Sequence, residues 1–140
     1  MAKIPIAILD RSKSFLHLLV YVLQQRDAAE VAVVAAANDI PALIEQADVA
    51  PAIVLIGLSV PNLIDPAMIQ QLRQHWPQVG IIALSWLDDE EYVSQALAAG
   101  ADSVVSKLQL DTTLLPAIRK VAAKQHSRTH GEEYGGRQSA

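Results

Sequence analysis

Five short apolar runs, separated by segments with helical spacing, constrain the fold of this 140-residue chain more than any other feature. Strands that alternate with helices are typical of a parallel sheet covered on both faces. Right-handed crossovers between parallel strands then favour a doubly wound arrangement. We therefore expect an α/β fold of the (βα)5 type. The predicted strands are Ile4–Leu9, Val31–Ala35, Ile53–Ile56, Val79–Leu84 and Ser103–Ser106.

The segments between the runs carry helix signals. Residues suited to capping a helix start precede each segment. These are Ser12 or Ser14, Asn38 or Asp39, Asp65, Asp88, and Asp111 or Thr112. Gly100 is placed to end the fourth helix. The first helix is predicted to face the sheet with the apolar residues Phe15, Leu18, Leu19, Val22 and Leu23.

One domain is predicted for residues 1–125. Helical apolar spacing stops near Gln125, and the segment 126–140 contains three glycines and mixed charges. Such a composition is typical of a mobile terminal segment. We expect residues 126–140 to form a flexible C-terminal tail or the start of a linker.

Composition argues against several classes of function. The formal net charge of −4 gives no basic field for nucleic acid, so this chain alone is not expected to bind it. Apolar runs fall short of the roughly 20 residues that span a bilayer, and the absence of cysteine excludes disulfides and thiol chemistry. No nucleophile-base pair, metal cluster or glycine-rich phosphate loop is visible, so neither an enzyme nor a cofactor is predicted. We expect a cytoplasmic protein that does not contact membranes.

Polar residues follow three of the predicted strands where those strands end, and Gly57 follows a fourth. In a doubly wound sheet, chemistry gathers outside the carboxyl ends of the strands. The candidate site residues at this edge are Asp10, Arg11, Gly57, Ser85, Trp86 and Lys107.

These residues, together with the segments 51–61 and 98–102, resemble the response-regulator receiver domain in order and spacing across residues 3–124. The resemblance implies a flavodoxin-like five-stranded parallel sheet with strand order 2-1-3-4-5. It also implies that Asp10 corresponds to the first of two magnesium-binding acids, Ser85 to the hydroxyl that bonds the phosphoryl group, and Lys107 to the amine that neutralises it.

The departures from the family pattern concentrate at the same edge. Gly57 stands where the family carries the aspartate that accepts phosphate, and Arg11 stands at the second acid. Trp86 replaces a small residue, and Val104 stands where an aromatic is common. These differences predict a degenerate pseudo-receiver whose pocket is a relic without metal.

Other roles remain open for the candidate residues. Asp10 is interpreted as a helix cap or as a salt-bridge partner of Arg11 or Lys107, and Lys107 as pairing with Asp10 or binding an outside anion. A pair between Asp10 and Lys107 is expected to be partly exposed and to contribute about 1 kcal/mol or less. Ser85 is interpreted as a strand-end hydroxyl. Trp86 either lies over the pocket or contacts a partner.

The resemblance predicts an interaction module in bacterial two-component or phosphorelay signalling that works without phosphorylation. The expected surface for a protein partner or a homodimer spans residues 88–124 and includes Asp88, Tyr92, Val104, Leu115 and Arg119. The alternative is the N-terminal regulatory domain of a longer helix-turn-helix transcriptional regulator.

Overall fold

A computed structural model of the chain describes residues 3–58, 65–86 and 90–139, with side chains described as far as residue 124. Strands and helices alternate throughout. They are β1 (Ile4–Leu9), α1 (Lys13–Arg26), β2 (Val31–Ala37), α2 (Ile40–Gln46), β3 (Ile53–Gly57), α3 (Pro66–His75), β4 (Gly80–Ser85), α4 (Glu90–Ala99), β5 (Ser103–Ser106) and α5 (Leu110–Ser139).

The strands form one parallel sheet in the order β2-β1-β3-β4-β5. This confirms the predicted doubly wound, flavodoxin-like fold. The strand order reverses between β1 and β3, which makes their carboxyl ends the topological switch point.

Alternating side chains of the central strands divide the core into two layers. On β3, Ile53 and Leu55 pack with buried residues of α1 and α5, whereas Val54 and Ile56 pack with buried residues of α2, α3 and α4. Successive strand residues point to opposite faces of a sheet, so a strand buried on both sides is apolar throughout.

Three of the predicted helix caps are confirmed. The Ser12 hydroxyl accepts a hydrogen bond from the Phe15 amide at 3.2 Å. The Asp39 carboxylate accepts one from Ala42, and Asp65 caps α3 in the same way. Each side chain satisfies an amide that has no partner inside its helix. The fourth predicted cap, Asp88, lies outside the described residues. The fifth candidates, Asp111 and Thr112, lie inside α5, which begins at Leu110.

Gly100 ends α4, as predicted, in a conformation that other residues rarely adopt. Its φ is 119°, a value open to glycine because it has no Cβ. The Gly100 carbonyl accepts a hydrogen bond from Arg73 at 3.0 Å. Arg73 also pairs with Asp102 at 2.9 Å, and Asp102 accepts the amide of Ile81 at 2.8 Å. This network joins α3, the end of α4 and the start of β4.

The sheet-facing side of α1 differs from the prediction. Its buried residues are Leu16, Leu19 and Leu23, and Leu18 is 58% exposed. The apolar side of α1 is therefore wider than the strip of residues that contacts the sheet. The prediction that Leu18 faces the core is wrong.

Helix α5 continues past the predicted end of the domain, to Ser139. Adding residues to an existing helix gains one backbone hydrogen bond each, whereas starting a helix is costly. The interpretation of 126–140 as a flexible tail or linker stays a prediction. Within the described residues no helix, α5 included, is long and apolar enough to cross a membrane.

Candidate functional site

The carboxyl ends of four strands bring most of the predicted site residues to one edge of the sheet. Leu9 pairs with Ile56, so Asp10 follows β1 beside Gly57 at the end of β3. Gly57 in turn pairs with Leu84. The pairing of β4 with β5 places Lys107 just beyond the end of β4.

Asp10 and Lys107 form a salt bridge in the centre of this edge. The Lys107 ammonium donates to the Asp10 carboxylate at 3.0 Å. The other carboxylate oxygen accepts the Ser12 amide at 2.8 Å. The main chain of Asp10 is held as well, since its amide donates to the Ala37 carbonyl and its carbonyl accepts the Asn38 side chain. Asp10 therefore forms four hydrogen bonds to three segments of the chain: the start of α1, the end of β2 and the end of β5.

This salt bridge is buried, which corrects the expectation of a partly exposed pair. The side chains of Lys107 and Asp10 are 2% and 1% exposed. A buried pair that loses one member leaves an uncompensated charge in a medium of low dielectric constant. The predicted contribution of about 1 kcal/mol or less applies to exposed pairs and does not apply here.

The absence of a side chain at Gly57 makes room for this salt bridge. A Cβ atom on Gly57 would lie 1.7 Å from the Asp10 carboxylate oxygen Oδ2 and 2.5 Å from its Cγ. Both distances are far below van der Waals contact. Gly57 has no positive φ, unlike Gly100. Space, and not backbone conformation, requires glycine at this position.

Two aromatic rings cover the Lys107 ammonium. Its nitrogen lies 4.1 Å from the ring centre of Phe15 and 5.3 Å from that of Trp86. The two rings meet edge to face, with centres 6.1 Å apart. Rings at these distances attract a cation and exclude water. Trp86 is still 42% exposed, so it forms the outer cover of the pair.

The sequence interpretation did not include Phe15 or Asn38 in the site. Phe15 lies in the first turn of α1, and Asn38 follows β2. Only Asn38 lies directly after a strand end, the signal that identified the other site residues. Their apolar and amide side chains carried no chemical signal for an ionic site.

Ser85 and Arg11 occupy the borders of the site. Ser85 is buried at the end of β4, and its carbonyl accepts the Lys107 amide at 2.8 Å. Arg11 is exposed and lines a cavity of about 470 Å³ beside Asp39, Gly57 and the other residues at the ends of β1, β2 and β3.

The residues at this edge do not fit a magnesium ion. Mg²⁺ takes near-octahedral oxygen ligands, usually with one or two carboxylates. Here the Asp10 carboxylate is bound by the Lys107 ammonium, and the adjacent residue is the cation Arg11. The described ranges contain no group of three or more His, Asp or Glu residues arranged to hold a metal.

Two residues of the predicted partner surface lie on the side of α5 that faces α1. Leu115 and Arg119 line a groove between α1 and α5. Arg119 forms a bidentate ion pair with Glu30, with its Nε 2.8 Å from Oε2. The hydrogen bond from Arg119 lowers the pKa of Glu30 below its ordinary value. These two side chains therefore point toward α1 and not toward α4.

The remaining predicted surface residues are divided between two elements. Tyr92 lies on α4 and Val104 on β5, and both are partly buried. Asp88 lies outside the described residues. A large apolar residue of α4, Leu97, is 46% exposed, and the sequence interpretation did not single it out.

Comparison with known families shows one match over most of the chain. Residues 6–119 match the response regulator receiver domain. A curated relative, the transcriptional regulatory protein DegU of Brevibacillus brevis, is 31% identical over 72 residues. That match covers 51% of this chain but only 30% of the relative.

Solved structures with this fold include receiver domains from several bacteria. The signal receiver domain of NarL from Mycobacterium tuberculosis aligns with a TM-score of 0.71 and 22% identity, covering 88% of this chain and 98% of that one. A LuxR-family two-component response regulator from Aurantimonas sp. SI85-9A1 gives 0.72 and 22%, covering 88% and 87%. RcsB from Salmonella typhimurium gives 0.67 and 24%, covering 86% and 61%. At these identities the likeness establishes the fold alone.

Proposed function

Because the chain belongs to the response regulator receiver domain family, we propose that it is a receiver that signals through protein contacts without aspartyl phosphate. Receiver domains are the signalling modules of two-component systems. We also propose that this receiver is cytoplasmic, because a chain without cysteine suits a reducing compartment.

The single observation that carries the proposal is the position of the Asp10 carboxylate in the space of a side chain at residue 57. By the family pattern, residue 57 is the phosphoacceptor. Here residue 57 is a glycine, which has no carboxylate to accept a phosphoryl group. The Asp10 carboxylate occupies the space that a side chain at residue 57 would fill.

The salt bridge also removes the groups that phosphoryl transfer uses. Catalysis of this transfer rests on positioning and on neutralising the charge of the phosphoryl oxygens. Lys107 is engaged 3.0 Å from Asp10 and covered by two rings. An arriving phosphoryl group would have to break a buried ion pair before it met the Lys107 ammonium. These features support a pocket held in one state, where a ligand has no second state to favour.

The chain is expected to remain unmodified when incubated with acetyl phosphate and Mg²⁺, because residue 57 offers no carboxylate and Lys107 is already paired. Intact-mass measurement checks this, with a receiver that retains its aspartate as the positive control. A stoichiometric gain of one phosphoryl group that hydroxylamine removes would refute the proposal.

The partner surface that we propose is the side of the molecule formed by α4, β5 and the adjacent side of α5. Leu97 is exposed there, and Tyr92 and Val104 are partly buried. By helical spacing, Lys120 and Lys124 lie on this side of α5, away from the α1-facing Leu115 and Arg119. This grouping replaces Leu115 and Arg119 in the predicted surface.

A second candidate function is the regulatory domain of a longer transcriptional regulator. The match to DegU spans less than a third of that protein. Helix α5 extends beyond the end of the family match at residue 119, to Ser139, as a linker helix would. The coding sequence after Ala140 tests this: a helix-turn-helix segment supports it, and a stop codon at that position excludes it.

A further inference from the structure

A cavity of about 470 Å³ opens beside the salt bridge, at the ends of β1, β2 and β3 and the starts of α2 and α3. Lys107, Phe15 and Trp86 are not among the described residues that line it, so filling the cavity does not require breaking the salt bridge. Ligands of open α/β sheets bind outside the carboxyl ends of the strands, at the switch point. The volume also lies within the range of roughly 300–1,000 Å³ that is typical of small-molecule sites.

The polar part of this cavity is held in place by main-chain contacts. The Asn38 side chain donates to the Asp10 carbonyl at 2.8 Å, which joins the segment after β2 to the segment after β1. Asp39 and Asp65 each accept a main-chain amide of the helix that follows, at 2.8 and 2.9 Å. These amides are neutral, so the negative charge of both carboxylates remains. Groups that are already fixed lose little freedom when a ligand binds.

Arg11 adds a cation to the same cavity. It is exposed, and within the described part of the chain no ion pair or hydrogen bond joins its guanidinium to another residue. Arg11 follows Asp10 as Asp39 follows Asn38, so the hydrogen bond between Asp10 and Asn38 places the two charged residues on adjoining segments. The cavity therefore presents both signs of charge without an ion pair between Arg11 and either carboxylate.

Apolar side chains form much of the remaining lining. They are Ile40, Pro41, Leu58 and Met68. An aliphatic or aromatic group that enters the cavity is removed from water against these side chains, which favours binding. A ligand that fits the whole lining therefore has an apolar part as well as charged groups.

The charges decide which class of small molecule fits. A simple anion is attracted by Arg11 and repelled by Asp39 and Asp65, and a simple cation experiences the reverse. A molecule that carries a carboxylate and an ammonium group satisfies both kinds of residue. The planar guanidinium of arginine also matches the two oxygens of a carboxylate.

We propose that this cavity binds a free α-amino acid with an apolar side chain. The ligand carboxylate pairs with Arg11, its ammonium group lies between Asp39 and Asp65, and its side chain contacts Met68 and the other apolar lining residues. The proposal goes beyond signalling without phosphorylation, since it gives the domain a chemical input. It does not depend on that signalling role.

Isothermal titration calorimetry of the intact chain tests the ligand class. The probes are leucine, isoleucine, valine, methionine and phenylalanine, and at least one should bind with one molecule per chain. The N-acetyl derivative of that amino acid has no ammonium group, and its amide has no carboxylate. Each derivative should bind about tenfold or more weakly than the amino acid, because it loses a charged contact.

Charge-removing variants test the position of the ligand. Arg11→Gln should weaken amino-acid binding about tenfold or more without weakening binding of the amide, whereas Lys13→Gln removes an exposed cation outside the described lining and should have little effect. Asp39→Asn combined with Asp65→Asn should also weaken binding, since asparagine still caps a helix but carries no charge. Asp48→Asn is the exposed control for this pair. Circular dichroism confirms that the variants fold.

Three results would overturn the proposal. The first is that none of the five amino acids binds at millimolar concentration. The second is an N-acetyl derivative that binds as tightly as its amino acid, which would indicate a site for anions in general. The third is an equal effect of Arg11→Gln and Lys13→Gln, which would place the ligand elsewhere. None of these results bears on phosphorylation, which the acetyl phosphate experiment tests separately.

Discussion

Lys107→Met is expected to destabilise the domain by about 3–5 kcal/mol, the cost of leaving a buried charge without its partner. The Asp10 carboxylate is 1% exposed and would keep only the Ser12 amide as a hydrogen-bond donor. Methionine fills the space of the lysine stem but supplies no charge. Urea unfolding followed by circular dichroism measures the loss.

A matched control exists on the surface. Arg119 and Glu30 form an ion pair whose side chains are 54% and 41% exposed. Arg119→Met should leave the unfolding midpoint nearly unchanged, because exposed pairs contribute little. Adding Asp10→Asn to Lys107→Met should recover part of the lost stability, since the unpaired charge is removed. If Lys107→Met had no more effect than Arg119→Met, the pair would be exposed in solution.

Gly57→Asp is expected to destabilise the protein strongly and to be rescued by Asp10→Ala. The new Cβ would overlap the Asp10 carboxylate, 1.7 Å away, and would add a second negative charge in the same space. Overpacking alone costs about 1–3 kcal/mol, and the like charges add to that cost. Asp10 must then leave its position or the strand ends must separate.

In the double variant, the aspartate at residue 57 can occupy the space that the Asp10 carboxylate fills in the unmodified protein. Removing the Asp10 carboxyl group leaves its Cβ 3.1 Å from the Cβ of residue 57, a tight contact that a small shift relieves. The aspartate at 57 can then pair with Lys107. Urea unfolding should therefore find the double variant more stable than either single variant. Additive losses would show that the two positions do not share one space.

The fold could be predicted from the sequence because its signals are local. Strand runs, the caps at Ser12, Asp39 and Asp65, and Gly100 at the end of α4 each depend on a few neighbouring residues. The family resemblance supplied the strand order, which the structure confirms.

The site could be predicted in composition but not in geometry. The sequence interpretation identified Asp10, Gly57 and Lys107. It expected the salt bridge between Asp10 and Lys107 to be partly exposed to solvent, whereas that salt bridge is buried. Its burial depends on Phe15 and Trp86, which come from α1 and from the end of β4. Contacts between such distant segments leave no periodic signal.

The same limit explains the differences on the helices. Apolar spacing suggested that Leu18 faces the sheet, and the family surface suggested that Leu115 and Arg119 face a partner with Tyr92. The direction in which each side of a helix points depends on how the helix sits on the sheet. That placement is set by residues elsewhere in the chain.

The measurement that tests the buried salt bridge most directly is nitrogen-detected NMR of the lysine ammonium groups. The chain has five lysines and one phenylalanine. A hydrogen-bonded ammonium shielded from water exchanges its protons slowly, so one lysine should give a protected signal with contacts to the phenylalanine ring. That signal should not move when Mg²⁺ and acetyl phosphate are added. If no lysine is protected, or if the signal shifts while the protein gains a phosphoryl group, the pocket is open and the account of a receiver locked by Asp10 and Lys107 is wrong.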